Sequence, residues 1–175
     1  KTRIVDIASG PARYLTELIN DFNKDFTEAL CLDIDRRSLA LGRKLSEGKP
    51  FLFKKANVLK LGRFKKLSQK NAWCPNVIVC SGLYEYLEDV DVIHSLNEIY
   101  GCLENNGLLI FVTQMGNPNK KLLEKLGKTR SGKPWILNYR KPEILKDWMD
   151  KAGFQQIHID VDPWRMYSFC SGRKA

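Results

Sequence analysis

Short apolar runs alternate with segments of helical periodicity along the whole chain. Continuous apolar runs are typical of strands buried on both faces of a parallel sheet, whereas apolar residues three and four apart indicate amphipathic helices. We predict strands at 3–8, 29–33, 51–53, 77–80, 108–112, 155–161 and 166–171. We predict helices at 13–22, 35–46, 90–104, 119–127 and 142–153, and a short exposed helix over 60–70.

This alternation predicts an α/β fold, in which helices cover both faces of an open and mostly parallel sheet. The last two strands are joined by the short connection 162–165, so we expect an antiparallel hairpin at one end of a seven-stranded sheet. Neither a repeat nor a low-complexity linker interrupts the chain, which predicts one domain over 1–175. The chain starts with Lys1 inside the first strand pattern, so we expect an upstream segment, and a fused upstream domain is compatible with this start.

Composition and charge limit the classes of partner that the chain could bind. The chain is 43% hydrophobic and 28% charged, which is ordinary for a soluble globular protein. Its net charge of +9 is concentrated in the basic stretches 54–70 and 120–141, which permits a nucleic acid, an anionic lipid or a phosphorylated partner. We slightly favour the alternative that the charge is a lysine-rich solvated surface, since the lysines are not interleaved with aromatic residues. The chain lacks the run of about 20 apolar residues that a membrane span needs.

Cysteine and histidine usage predicts a reducing compartment and no metal site. The five cysteines form no Cys-x-x-Cys pair, and their odd number argues against a disulfide framework. The two histidines, His94 and His158, are far apart in sequence and lie on faces that we predict to be exposed. We therefore expect a cytoplasmic location and neither zinc nor another metal.

A tight turn of small residues follows the first strand. In the sequence IVDIASGPARY over 4–14, an apolar run stops at Asp6 and a helical pattern begins near Tyr14. Small residues in such a turn allow a ligand to press against backbone N–H groups at the start of a helix. A buried structural turn would have the same composition, so the segment alone leaves both interpretations open.

Polar or small residues also follow the next strands. Asp33 ends the second strand, where a carboxylate can accept both hydroxyls of a ribose, and Asp35 is placed to cap the following helix. Asn57 follows the third strand and could contact an adenine, although an Asn in a turn is the alternative. Ser81 and Gly82 follow the fourth strand. Ligands of open α/β sheets bind where the carboxyl ends of the strands meet, so these positions predict one site.

These motifs together resemble the class I S-adenosylmethionine-dependent methyltransferases. The chain is most similar to a methyltransferase family that is often fused to an α/β-hydrolase domain, on DIASGPARY (6–14), Asp33, SGLYEY (81–86), Gln114 and RSGKPW (130–135). The likeness covers essentially the whole chain. It departs from the usual pattern at Ala12, where Gly is common, and at Asn57, where Asp is common.

The resemblance implies S-adenosyl-L-methionine as the cofactor and a set of residues around it. The implied cofactor site contains Asp6, Ala8, Gly10, Arg13, Tyr14, Asp33, Ile34, Asn57, Val58, Ser81 and Gly82.

The acceptor side of the site is predicted from residues after the fourth and fifth strands. Tyr84 and Glu85 are the candidates for a general base, which is needed if the acceptor must lose a proton. The alternatives are that Tyr84 is part of the pocket wall and that Glu85 is a solvated acid of the loop. The irregular segment 128–140 is too rich in aromatic residues for a disordered loop, so we predict that it lies over the carboxyl ends of the fourth and fifth strands. The predicted substrate residues are Gln114, Trp135, Tyr139 and Arg140.

Methyl transfer to a small or lipid-like acceptor is the function that these residues favour. The alternatives are a catalytically silent, cofactor-binding regulatory domain and an RNA methyltransferase, the latter suggested by charge alone. A dehydrogenase that binds NAD is disfavoured, because the chain lacks Gly-x-Gly-x-x-Gly after the first strand.

Overall fold

A computed structural model describes residues 2–21, 26–57, 59, 73–129 and 131–175. The strands are β1 (Thr2–Ile7), β2 (Phe26–Asp33), β3 (Phe51–Lys55), β4 (Val77–Ser81), β5 (Leu108–Gln114), β6 (Phe154–Val161) and β7 (Tyr167–Lys174). The helices are α1 (Arg13–Asp21), α2 (Arg36–Leu45), α3 (Asp89–Cys102), α4 (Lys120–Leu126) and α5 (Pro142–Lys151), with a 3₁₀ turn at Tyr84–Tyr86.

The strands form one seven-stranded sheet in the order β3-β2-β1-β4-β5-β7-β6. Strands β1 to β5 run parallel, and β7 lies antiparallel to both β5 and β6. Chain order reverses between β1 and β4, which creates a crevice at the carboxyl ends of these strands. Ile7 pairs with Leu32 on one side and with Cys80 on the other, so β1, β2 and β4 end side by side.

Two apolar clusters cover the two faces of the sheet. The larger one packs α3 and α5 against the sheet, and its fully buried members include Leu96, Phe111 and Leu145. The smaller one includes Leu15 of α1 and Leu39 of α2, which pack against β1 and β2. Burial on both faces explains why the central strands are nearly continuous apolar runs.

The structure confirms the predicted fold class and the antiparallel hairpin. It also confirms Asp35 as the N-cap of α2, since its side chain accepts a hydrogen bond from the Arg37 N–H at 3.0 Å. The strand boundaries differ from the predicted ones by a few residues, as at the end of β7, which continues over 172–174 beyond the predicted end at Ser171. The helix predicted at 60–70 lies outside the described residues.

The thiols and imidazoles lie as predicted. All five cysteines are thiols outside any disulfide, and four of them are buried. His94 and His158 are exposed. Within the described residues, no group of three or more potential ligands could hold a metal ion. A search of the same residues for a helix long and apolar enough to cross a membrane found none.

Candidate functional site

The loop between β1 and α1 is a run of left-handed turns. Ala8 has φ +55°, Gly10 +53° and Ala12 +51°. The left-handed region of φ favours glycine, and an alanine in this conformation is strained by about 1–2 kcal/mol. The loop keeps this shape through two backbone hydrogen bonds, from the Ser9 N–H to the Leu32 carbonyl at 3.1 Å and from the Ala12 N–H to the Ser9 carbonyl at 2.9 Å.

Asp33 connects this loop to the end of β2. One carboxylate oxygen accepts a hydrogen bond from the Gly10 N–H at 2.8 Å, and the other accepts one from the Asp35 N–H at 2.7 Å. Each carboxylate oxygen has further acceptor capacity, so the predicted ribose contact stays compatible with these bonds. Asp33 therefore shapes the loop in addition to any role toward a ligand.

Asp6 lies buried beneath the loop at the end of β1. Its side chain is 1% exposed, and neither carboxylate oxygen has a hydrogen bond of normal geometry to the described residues. Burial raises the pKa of Asp6 to about 7; the Tyr14 hydroxyl opposes this shift and the negative charge of Asp33 adds to it. A buried carboxylate that the Tyr14 hydroxyl compensates only in part is costly, which suits a site that receives a cationic or hydrogen-bond-donating ligand.

Open space adjoins the β1–α1 loop and the end of β4. A Cβ built on Gly10 would meet no atom within 4 Å, and one on Gly82 would meet only the Glu85 carboxylate at 3.9 Å. Gly82 has φ +70°, and its N–H donates to the Val112 carbonyl at 3.2 Å. The backbone at the ends of β1 and β4 is thus accessible to a ligand.

The remaining predicted cofactor residues lie around this opening. Arg13, Ile34 and Ser81 are exposed at the ends of their elements. The Asn57 amide oxygen accepts a hydrogen bond from the Leu59 N–H at 3.0 Å, as an Asn in a turn does, which leaves its NH₂ group to donate to a ligand. Val58 lies outside the described residues.

Tyr84 requires a correction. We predicted a catalytic role for it, but its side chain is fully buried and packs edge-on against Phe111, with ring centroids 5.0 Å apart. Its hydroxyl shares a hydrogen bond with the Ser95 hydroxyl of α3 at 3.2 Å. The side chain fills the core between the sheet and α3, where an acceptor cannot reach it.

Glu85 points the other way and stays a catalytic candidate. Its side chain is 4% exposed, and one carboxylate oxygen accepts a long hydrogen bond from the Thr113 hydroxyl at 3.5 Å. Burial raises the pKa of Glu85, while hydrogen bonds and the charge of Arg140 partly oppose the shift. A carboxylate with a raised pKa is a stronger base than an exposed one, and its place beside Gly82 suits it to accept a proton from a bound acceptor.

Gln114 presents a second unsatisfied acceptor at the end of β5. Its side-chain oxygen is buried and has no hydrogen-bond partner among the described residues. The neighbouring strand places Tyr167 directly opposite Gln114. A ligand group that donates a hydrogen bond would satisfy this oxygen.

Arg140 also requires a correction. We predicted that it binds substrate, but its side chain is 3% exposed and its donors are engaged within the protein. It donates to the carbonyl oxygens of Tyr84 at 2.6 Å and Leu87 at 2.5 Å, and its Nε donates to Asp89 at 2.9 Å. Arg140 therefore fixes the 3₁₀ turn that carries Glu85.

The last part of the segment 128–140 lies where we predicted it, beside the carboxyl ends of β4 and β5, while residue 130 is outside the described residues. The Asn138 N–H donates to the Glu85 carbonyl at 2.7 Å, and the Arg140 N–H donates to the Gln114 carbonyl at 3.2 Å. Tyr139 is half-buried under Lys120, whose Nζ is 5.3 Å from the ring centroid. Trp135 is 36% exposed.

Three contributors to the site were missed from the sequence. Asn138 attaches the segment to the turn, and its side-chain NH₂ donates to the Leu87 carbonyl at 2.9 Å. The side chain of Trp135 lies near the Tyr86 hydroxyl and opposes the rise that burial causes in the pKa of Tyr86. The Thr113 hydroxyl faces Glu85. The polar Thr113 inside the apolar run of β5 was the available signal for the last of these.

The family of the chain follows from a comparison of its sequence with known families. Residues 1–174 match the family described as "Putative methyltransferase". The chain belongs to this methyltransferase family. A curated relative, the uncharacterized protein YnbC of Escherichia coli K12, is 24% identical over 172 residues, which are 95% of this chain and 28% of YnbC.

Solved methyltransferases share the fold. An O-methyltransferase family protein from Burkholderia thailandensis superimposes with a TM-score of 0.75 at 14% identity, over 99% of this chain and 51% of that one. Magnesium protoporphyrin IX methyltransferase from Synechocystis, solved with bound S-adenosylhomocysteine, gives 0.72 at 11% identity, over 98% of this chain and 73% of that one.

The family is thus one of methyltransferases, and the chain has the fold of these solved methyltransferases. That the cofactor is S-adenosylmethionine stays a proposal. This chain spans about a quarter of YnbC and about half of the Burkholderia protein. The fused upstream domain and the cytoplasmic location stay predictions.

Proposed function

We propose that this methyltransferase transfers a methyl group to a small or lipid-like acceptor whose reacting group carries a hydrogen-bond donor. The observation that carries the proposal is the pair of buried, unsatisfied acceptors at one sheet edge, Asp6 on the cofactor side and Gln114 on the acceptor side.

The residues fit the cofactor. Its ammonium group would compensate the buried Asp6 carboxylate, and its ribose hydroxyls would use the remaining acceptor capacity of Asp33. The open space at Gly10 would receive it against the backbone. When bound, S-adenosylmethionine supplies a methyl group that its sulfonium already activates, so the protein needs no nucleophile of its own.

The acceptor would lie between Glu85 and Gln114. Gln114 would orient the acceptor by accepting a hydrogen bond from it, and Glu85 would take the proton that an attacking hydroxyl or amine loses. Trp135 and Tyr139 would close the pocket against water. Alignment of this kind supplies roughly 7–11 kcal/mol in favourable cases.

The test is a titration followed by a turnover assay. We expect saturable binding of S-adenosylhomocysteine by calorimetry and none of NAD; a preference for NAD would refute the proposal. Release of S-adenosylhomocysteine in the presence of fractionated small molecules and lipids would then find the acceptor. Cofactor binding without turnover in any fraction would favour the silent regulatory domain instead.

Glu85→Gln tests the acceptor side. We expect turnover to fall by about 10²–10⁴-fold with unchanged affinity for S-adenosylhomocysteine, because the variant keeps the shape and loses the base. Glu88→Gln, at an exposed acid three residues later, is the matched control and should turn over normally.

A further inference from the structure

Helix α4 presents apolar side chains to solvent. None of its residues is buried, and Leu122 and Leu126 are 55% and 65% exposed. They are four residues apart, so they lie on the same face of the helix. A surface helix ordinarily turns its apolar face toward the core, which makes this outward face an unpartnered one.

Basic residues surround these leucines. Residues 118–141 contain eight Lys or Arg and a single acidic residue, Glu124. Glu124 is engaged with Lys120 at 3.8 Å. Lys121 and Lys125 directly precede the two leucines and are exposed. The surface thus combines aliphatic side chains with strong positive charge.

The turn after α4 extends this surface and attaches it to the acceptor side. The Trp135 N–H donates to the Gly127 carbonyl at 3.0 Å, which holds Ile136, 62% exposed, near the end of α4. Lys128 and Pro134 form an isolated antiparallel β-bridge, so the chain reverses direction between them. We define the α4 surface by its exposed apolar and basic residues, Leu122, Leu126, Ile136, Lys121, Lys125, Lys128 and Lys133.

Asn138 connects the α4 surface to the candidate base. Its N–H donates to the Glu85 carbonyl at 2.7 Å, two residues after Ile136. A partner that covers the α4 surface would therefore lie beside the opening between Glu85 and Gln114.

We propose that the α4 surface docks on an anionic lipid bilayer, which places the acceptor pocket at the membrane surface and makes the acceptor a membrane amphiphile. The choice of acceptor rests on the proposed function, whereas the docking does not. Aliphatic side chains that enter the boundary between headgroups and acyl chains, flanked by lysines that meet anionic headgroups, are what interfacial binding requires. Phosphate contacts to RNA would use the lysines but would leave the exposed leucines without a role.

Vesicle sedimentation tests the docking. The wild-type protein should bind vesicles of phosphatidylcholine with phosphatidylglycerol and should bind pure phosphatidylcholine at least tenfold more weakly. Each lysine of the α4 surface that is replaced by Gln should weaken binding by about fivefold, since a basic residue near an anionic surface contributes about that factor.

A matched pair of variants separates a membrane contact from a general effect of apolar surface. The double variant Leu122→Ser, Leu126→Ser should lose at least tenfold in vesicle binding. Leu41→Ser with Leu45→Ser is the control, because these leucines are also four residues apart and 40% and 41% exposed, on the basic helix α2. The control should bind vesicles as the wild type does.

Three outcomes would overturn the inference. They are equal binding to neutral and anionic vesicles, an α4 double variant that binds like the wild type, and binding to an RNA oligonucleotide without binding to vesicles. S-adenosylhomocysteine affinity, measured on the same variants, should not change. A protein that binds vesicles but not S-adenosylhomocysteine would refute the proposed function and leave the docking intact.

Discussion

The carboxylate of Asp33, at the end of β2, holds the backbone N–H of Gly10 at 2.8 Å and so ties the β1–α1 loop to the neighbouring strand. Because its other oxygen accepts from the Asp35 N–H, Asp33→Ala would remove two backbone hydrogen bonds. We expect Asp33→Ala to lower the free energy of unfolding by about 2–3 kcal/mol and to weaken cofactor binding by about ten- to a hundredfold. Urea unfolding and calorimetry measure the two effects.

Asp35→Ala provides the comparison. It removes the cap of α2, including the hydrogen bond that Asp35 accepts from the Ser38 hydroxyl at 3.2 Å, so we expect a loss of about 1 kcal/mol in stability and unchanged cofactor affinity. If Asp35→Ala weakened cofactor binding and Asp33→Ala did not, the ribose contact would be assigned to the wrong carboxylate.

The buried Asp6 predicts a pH dependence of stability. Its pKa is raised to about 7 in the folded protein from 3.8. Between these values the unfolded chain binds fewer protons than the folded one, so stability falls as the pH rises from about 4 to 7 and then stays low. Asp6→Asn should therefore be more stable than the wild type at pH 8, by up to ~4 kcal/mol, and similar to it at pH 4.

Unfolding of both proteins at several pH values measures this difference. Asp150→Asn, at an exposed carboxylate of α5, is the control and should follow the wild-type profile. Cofactor binding should also release a proton near pH 7 in the wild type, because a nearby ammonium favours the charged form of Asp6. Proton release that persists in Asp6→Asn would show that another group titrates.

The positive φ of Ala8 in the β1–α1 loop predicts that a glycine there stabilises the protein. Ala8→Gly should raise the free energy of unfolding by roughly 1 kcal/mol, because glycine adopts φ +55° without strain. Ala12→Gly should change little, since the buried Ala12 methyl packs in the smaller apolar cluster and its loss offsets the relief.

Ala40→Gly, on an exposed position of α2, controls for the flexibility of glycine. It should destabilise the protein by about 1 kcal/mol, as glycine does inside helices. Equal destabilisation by Ala8→Gly and Ala40→Gly would show that the loop alanine is not strained.

Much of the fold could be predicted from the sequence, because buried parallel strands require apolar runs and amphipathic helices require a period of 3.6 residues. The positions of Asp6, Asp33 and Ser81 at the ends of their strands followed, since each comes directly after apolar residues of such a run. The positive φ of Ala8 could not be predicted, because alanine carries no signal for a conformation that it disfavours.

The roles of Tyr84 and Arg140 depended on long-range contacts that no local pattern encodes. Arg140 reaches carbonyl oxygens of Tyr84 and Leu87 across more than 50 residues of chain. Tyr84 is a polar aromatic residue next to Glu85, which suggested a place at the pocket. In the structure its ring instead fills the space beneath α3, where its hydroxyl reaches Ser95. Such fits are decided by packing.

Substitutions at the neighbouring residues Arg140 and Tyr139 should have opposite effects: the first should lower stability, and the second should lower turnover alone. Arg140→Met would remove charge-assisted hydrogen bonds to the buried Tyr84 carbonyl and to the partly buried Leu87 carbonyl, so we expect a loss of about 3–5 kcal/mol in unfolding free energy. Asp89→Ala, which removes its partner, should cost less than about 1 kcal/mol, because Asp89 is 69% exposed.

Tyr139→Phe keeps the ring under Lys120 and removes only the hydroxyl, so stability should change by no more than about 0.5 kcal/mol. If the hydroxyl touches the acceptor, turnover should fall while affinity for S-adenosylhomocysteine stays the same. Urea unfolding, calorimetry and turnover on the three variants separate the two roles. A fully stable Arg140→Met with lost turnover would restore Arg140 as a substrate residue, because its hydrogen bonds to the 3₁₀ turn would then be dispensable for folding.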